Sequence, residues 1–418
     1  MPEAQSRFKH PIFNLKFSFL LFGVLIVREL KSDPFEDYPF LNKTKNHLQY
    51  SNPKALKDFH SAWKNSRTKK FHVVHTGDSH VQNDVYPDQI RKNLQEKLGD
   101  GGQGMIFAYS AAGSYSPITY RTEHSNHWIR SKSFLPNQPL PMGITGMSCR
   151  TDEKDSELEF IFNQPIKNEY NRLKIFSSTG PGGFDIELIV DNSPSIHLDS
   201  KALSEREYLE IIIPPPQKKI RLVTREKLRE NEYFEFYGMS LEKDGDTGLV
   251  WHNCGVGSAR FNSILREEKF VYQLKIISPK LVILDFGTND YLVSNRISKN
   301  LPSQIRKIIR MIKKNLPHSS ILLTSTQDMN YKKKPRRVGP EFSDRIQKIA
   351  SEMNCGFYDW FSVSGGMNSV ENWKRYELMQ TDSIHLTPRG YRLKADLFSL
   401  AIQKSMSQMD QKKSGIQF

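Results

Sequence analysis

Two patterns of apolar and polar positions divide the chain. In the first, a continuous apolar run stops at a turn and is followed by apolar residues at helical spacing. The stretch His72-Val73-Val74-His75-Thr76 stops at Gly77-Asp78-Ser79, and Ile90, Leu94 and Leu98 then mark a helix over about 87–98 that ends at Gly99. Leu249-Val250-Trp251-His252 leads into the turn Asn253-Cys254-Gly255-Val256-Gly257-Ser258-Ala259, followed by a helix with Phe261, Ile264 and Leu265. Leu281 to Phe286 meets Gly287-Thr288-Asn289-Asp290, followed by a helix carrying Ile305, Ile308, Ile309 and Ile312. Two more runs begin at Ile321 and Gly356, and Thr387-Pro388 opens a last helix that reaches about 405. An early helix starts near Pro53, with Leu56, Phe59 and Trp63 on one face. Uninterrupted apolar strands alternating with helices predict an α/β domain: a parallel sheet covered on both faces, its five strands beginning at 71, 249, 281, 321 and 356.

From about Ser114 to Gly245 the period changes. Short β-rich runs at 158–162, 173–176, 184–190, 208–213, 219–223 and 233–237 are separated by Gly, Pro, Asn and charged clusters, and several alternate apolar with polar. Short strands with hardly a helical pattern between them predict a β-sandwich, and an all-β block inside a βα chain is most simply an inserted domain. It either binds a glycan or walls the active site. The expected division is therefore 1–30 as a leader, 31–113 and 246–408 as two parts of one α/β domain, 114–245 as the inserted sandwich and 409–418 as a polar tail.

The leader carries Arg7, Lys9 and Lys16 before an apolar run over 17–27 that ends at Arg28. At about 1.5 Å per residue such a helix falls short of a hydrocarbon core of about 30 Å. A basic start before a short apolar stretch reads as an export signal, which places the protein in the periplasm or cell envelope. No small-x-small site follows Val27, so an uncleaved membrane anchor is the alternative, and a buried strand or helix the plainest one.

Composition narrows the classes. The 418 residues exceed one average domain, and 25 Phe, 16 Tyr and 5 Trp argue for folded protein despite a hydrophobic fraction of 37%. Lys and Arg number 60 against 46 Asp and Glu, a net +14 that favours an anionic partner or serves solubility. Zinc-finger spacing, helix-turn-helix and RNP-like signals are absent, so nucleic acid is not a predicted partner. Cys149, Cys254 and Cys355 are far apart and odd in number, which predicts buried thiols, with one oxidised pair as the alternative. Gly99, Gly101 and Gly104 spell GxGxxG but follow a helix instead of opening one, so the expectation is a packing loop beside the serine turn and not a dinucleotide site.

The polar motifs all lie just past strand ends or before the last helix, and that edge of an open α/β sheet is where ligands bind. Ser79 at a strand end, followed by free backbone N–H groups, suits a nucleophile. In Asp382-Ser383-Ile384-His385 the acid is placed to orient the imidazole, which can then take the Ser79 proton. Asn289 offers a side-chain donor and the backbone near Gly257 and Ser258 offers main-chain donors, which with the Ser79 amide make a three-part oxyanion hole. Singly, each has a plainer reading: Gly-Asp-Ser and Gly-Thr-Asn-Asp as turns or caps, Asp-x-x-His as a cap or surface pair.

Together, Gly77-Asp78-Ser79, the turn from Asn253 to Ala259, Gly287-Thr288-Asn289-Asp290 and Asp382-Ser383-Ile384-His385 resemble blocks I, II, III and V of the SGNH (GDSL-type) hydrolases, over about 71–113 and 249–405. With its long β insertion the chain most resembles peptidoglycan O-acetylesterases that carry a carbohydrate-binding-like module. The resemblance implies a three-layer α/β/α, flavodoxin-like domain, with Ser79 as nucleophile, His385 as base, Asp382 as its orienter, and Asn289 and a block II glycine as oxyanion donors. Where the family commonly has Gly-Val-x-Gly, this chain has Gly255-Val256-Gly257-Ser258; the donor is expected at Gly257, with Ser258 as the alternative. The implied activity is removal of O-acetyl groups from a cell-envelope polysaccharide, with no metal or organic cofactor. An O-acetyltransferase with the same triad is the alternative enzyme, and a glycan-binding protein with a retired site the alternative from another class. A basic loop, Lys332-Lys333-Lys334-Pro335-Arg336-Arg337, follows a sheet strand and so falls on the same rim, either touching an anionic glycan or merely solvated.

Overall fold

The computed structural model describes residues 35–167, 169–180, 184–216, 218–227 and 232–413; the expected leader at 1–30, with its apolar run at 17–27, lies outside them. Among the described residues no helix is long and apolar enough to cross a membrane. Five apolar runs form strands β1 (Phe71–Gly77), β2 (Leu249–Gly255), β3 (Leu281–Asp285), β4 (Ser320–Thr324) and β5 (Gly356–Tyr358). They make one parallel sheet in the order β2-β1-β3-β4-β5, which is the flavodoxin-like order. Strands β2 to β4 are buried at every position, because helices or the insertion cover both faces. Helices Lys57–Lys64 and Val85–Leu98 pack with the C-terminal helix Pro388–Lys413, while Phe270–Ile277, Leu301–Asn315 and Gly339–Glu352 form a second packed group. Leu301–Asn315 shows why such helices form: Ile305, Ile308, Ile309 and Ile312 are fully buried at helical spacing, and its lysines and arginines take the other face.

The middle of the chain is two antiparallel sheets. One runs Tyr208–Ile212, Arg172–Ser178, Phe234–Glu242, Met147–Thr151, Ile129–Lys132, and the other Tyr120–His124, Glu157–Phe162, Lys219–Lys227, Phe184–Val190, Ile196–Leu198. Phe160, Leu188 and Leu222 from one sheet and Ile175, Phe236 and Met239 from the other are buried in one core.

Two expectations change. Gly99, Gly101 and Gly104 do not make a loop beside the serine turn: Gly102–Ile106 is a strand that pairs with Met239–Glu242, so the insertion's first sheet reaches back across the expected boundary at 114. Glycine is required because this strand threads between β2 and its partner; a Cβ on Gly104, whose φ is 81°, would sit 2.5 Å from Trp251 O. The tail expected at 409–418 is helical to Lys413, where Met409 is buried and Asp410 Oδ1 lies 2.9 Å from His60 Nε2. Cys149, Cys254 and Cys355 are buried free thiols.

Candidate active site

Strand β1 ends at Gly77, where a Cβ would overlap Val81 and press on Asp285 O, so the chain can turn sharply into a short helix, α1 (Ser79–Gln82). Asp78 caps α1, accepting the His80 N–H at 2.9 Å, and leaves Ser79 as the first helical residue. Its Oγ lies 2.9 Å from His385 Nε2, although 306 residues separate the two. On the far side of the ring, His385 Nδ1 lies 2.6 Å from Asp382 Oδ2. Asp382 Oδ1 accepts the N–H groups of Ile384 and His385, each at 2.9 Å, which folds the four residues into a tight turn with Ser383 at φ 62°. Burial alone would raise the Asp382 pKa, but the His385 ring and these two N–H groups outweigh it and hold the carboxyl below its ordinary value. An ionised acceptor at Nδ1 fixes the proton there, so Nε2 is the nitrogen left to accept from serine.

Beside this line lies a cavity of about 470 Å³ lined by Ser79, Tyr115, Ser258, Asn289, Leu292 and His385 among others. Asn289 sits in the short helix Thr288–Tyr291 after β3, and its Nδ2 donates one hydrogen to Ala259 O at 3.0 Å, leaving the second for a ligand. Gly257, the expected block II donor, lines the cavity, and its N–H donates to Gln82 Oε1 at 2.5 Å. Ser258 follows with φ 69°, and no described residue accepts from its N–H or from that of Ser79. The left-handed conformation is one glycine adopts without strain, which accounts for the family's preference at a position where this chain has serine.

The comparisons bear on the family and the fold. Residues 229–393 match the family model of the GDSL-like Lipase/Acylhydrolase family, a span that begins within the last part of the insertion and holds three of the four motifs, all but the one with Ser79. The chain carries a GDSL-like acylhydrolase domain. Among solved structures it is similar to a peptidoglycan O-acetylesterase, at 18% identity and a TM-score of 0.73, over 86% of this chain and 99% of that one. Lesser likenesses are to a family two carbohydrate esterase from Cellvibrio japonicus (13% identity, TM-score 0.30, 69% of this chain and 99% of that one) and a psychrotrophic esterase from a Pseudoalteromonas species (19%, 0.31, 38% and 79%). No curated protein sequence matches the chain. With an SGNH fold and this family domain, the protein is a carboxylic ester hydrolase.

Several residues that support this hydrolase's site carry no mark in the sequence. Gln82, fully buried, holds Gly257 through Oε1 while its Nε2 donates to Tyr115 O at 2.8 Å and Ser114 Oγ at 3.0 Å, so one side chain joins α1, the block II turn and the start of the insertion. His80, next to the nucleophile, packs its ring 5.2 Å from that of His385 and shares a 2.9 Å hydrogen bond with Tyr391. Burial, and then the neighbouring His385, push its pKa well down, so His80 is a neutral wall. Behind the histidine turn, Gln327 Nε2 donates to Ile384 O at 2.8 Å and Trp360 Nε1 donates to Gln327 Oε1 at 3.0 Å. The basic loop is a small hairpin, Asn330–Tyr331 with Lys334–Pro335, whose Asn330 N–H donates to Ser383 O at 3.0 Å.

Proposed function

We propose that the protein removes O-acetyl groups from an acetylated polysaccharide of the cell envelope, peptidoglycan being the first candidate. The observation that carries the reading is the unbroken line Asp382, His385, Ser79, at 2.6 and 2.9 Å, opening on a cavity with unengaged donors. Ser79 Oγ attacks the acetyl carbonyl as His385 Nε2 takes its proton, and the ionised Asp382 balances the charge that appears on the ring. The N–H groups of Ser79 and Ser258 and the free Asn289 hydrogen receive the oxyanion, such donors contributing about 3–4 kcal/mol each. His385 returns the proton to the departing sugar hydroxyl, and water, activated by the same nitrogen, releases acetate from Ser79. The side chains of His385 and Asp382 are 33% and 40% exposed, which lets water reach the acetyl-enzyme and supports hydrolysis over transfer to a second sugar. The likeness to a solved peptidoglycan O-acetylesterase supports the choice of polymer, and export by residues 1–30 belongs to the same proposal.

The test is acetate release by the full chain from O-acetylated peptidoglycan, acetylated xylan and a small aryl acetate, beside Ser79→Ala. Release from peptidoglycan that falls by roughly 10⁴-fold or more in the variant is the expected result. A folded protein that releases acetate from none of the three overturns the reading.

A further inference from the structure

The hairpin beside the histidine turn carries charge that no acidic group among the described residues neutralises, although Lys332 Nζ lies 5.5 Å from the Tyr331 ring centre. Tyr331 pairs with Lys334, so Lys332 and Lys333 are the two-residue tip, at φ 49° and 62°. Such a turn is most readily made by asparagine and glycine, and two lysines in the left-handed region do nothing for its folding. Lys332, Lys333, Lys334 and Arg337 are exposed, and among the described residues none of them has an acidic partner. Two arginines of neighbouring helices are paired, Arg306 with Glu352 and Arg345 with Glu341, each at 2.6 Å. Arg336 braces the hairpin from inside: only 8% exposed, it donates from Nη2 to Tyr331 O at 3.0 Å, its Nε has no partner, and its guanidinium lies 5.4 Å from the Tyr331 ring centre. The tip stands two residues beyond Asn330, which is bonded to Ser383, or about 7 Å at roughly 3.3 Å per residue. That is within a Debye length of about 8 Å from the histidine turn.

We infer that this hairpin is an anion subsite, taking carboxylate groups on the units of the polymer that flank the acetylated sugar. The inference rests on the esterase reading above for its substrate, but not on the triad for its physics. Exposed lysines without acidic partners raise the local concentration of an anionic chain and hold it loosely, an effect that appears in KM, weakens with salt and leaves the acyl chemistry alone.

The test uses the full chain and two variants, Lys332→Asn with Lys333→Gly, which installs the easier turn while removing two charges, and Lys334→Ser with Arg337→Ser. For both, KM on O-acetylated peptidoglycan should rise about 5- to 10-fold at low salt and converge with the parent at high salt, while kcat/KM on an aryl acetate and on neutral acetylated xylan stays within about twofold. The first variant should melt no lower than the parent. An unchanged KM on peptidoglycan, or equal changes on all three substrates, overturns the subsite. Sedimentation of each protein, carrying Ser79→Ala, with insoluble peptidoglycan separates this from the esterase reading: binding that depends on the tip charges, where the parent with Ser79 intact releases no acetate, keeps the subsite and removes the enzyme. Binding indifferent to the charges removes the subsite whatever the activity. Running the same assay on glycan stripped of its peptides shows whether the carboxylates belong to the peptides or the sugars.

Discussion

Asp290 follows the oxyanion asparagine, and the fold keeps its carboxyl from ionising until about pH 7: burial raises its pKa, against the Phe261 N–H and Arg260, which lower it. Burial likewise raises Asp78, the cap of the nucleophile's helix, to about 6. Both folded values exceed the roughly 3.9 of an unfolded aspartate, so between about pH 4 and 7 these two carboxyls bind more protons in the native chain than in the unfolded one. Their contribution to stability therefore falls as pH rises through that window. Asp290→Asn keeps the acceptor for the Phe261 N–H, which reaches Asp290 Oδ2 at 3.4 Å, and removes the charge. The variant should exceed the parent by about 2–4 kcal/mol at pH 8 and lose that advantage near pH 4, as urea unfolding at several pH values would show. A difference that stays constant with pH would mean that Asp290 ionises as freely in the fold as out of it.

At the scale of elements, what could be read in advance was whatever repeats its own period. The five parallel strands were legible because each is a buried apolar run ending in turn residues, and the motifs at their ends came with them. Gly102–Ile106, Tyr120–His124, Ile129–Lys132 and Met147–Thr151 escaped because their side chains are mixed and their strand character comes from partners far along the chain. The choice between Gly257 and Ser258 could not be read either, since it turns on where the Gln82 side chain points. The end of the last helix misled for a related reason: Ser405 to Lys413 is polar in composition, yet Met406 and Met409 face the core and Asp410 meets His60. Ending the chain at Ser405 should cost about 3–5 kcal/mol for the two buried methionines, read as a lower urea midpoint with aryl-esterase kcat little changed. No loss of stability would show that the last two turns are ornamental.

For the whole molecule, the question is whether the insertion is a separable module. Leu249 donates to Gly99 O at 2.9 Å and accepts the Gly101 N–H at 3.0 Å, and the strand that follows then joins the insertion's sheet, so backbone pairing passes from the hydrolase sheet into the sandwich without a break. Ile144 N–H donates to Gln273 Oε1 at 2.9 Å, Lys269 N–H to Met142 O at 3.0 Å, and Lys269 Nζ meets Glu207 at 2.6 Å, which ties the sandwich to the helix before β3. One apolar cluster runs from Leu323 and Ile312 under the parallel sheet to Phe160 and Leu222 between the antiparallel ones. A linker-joined module shares none of these, and its interface would be smaller and more polar. Calorimetry should accordingly show one transition, with calorimetric and van't Hoff enthalpies in a ratio near 1. Replacing 114–245 by a short linker should give insoluble chain, because Gly102–Ile106 would be left as an unpaired edge and the apolar residues under it exposed. Two resolved transitions, or a soluble deletion variant that still cleaves an aryl acetate, would make the sandwich an accessory, and Gln82 would then have to hold the block II turn without its partners Ser114 and Tyr115.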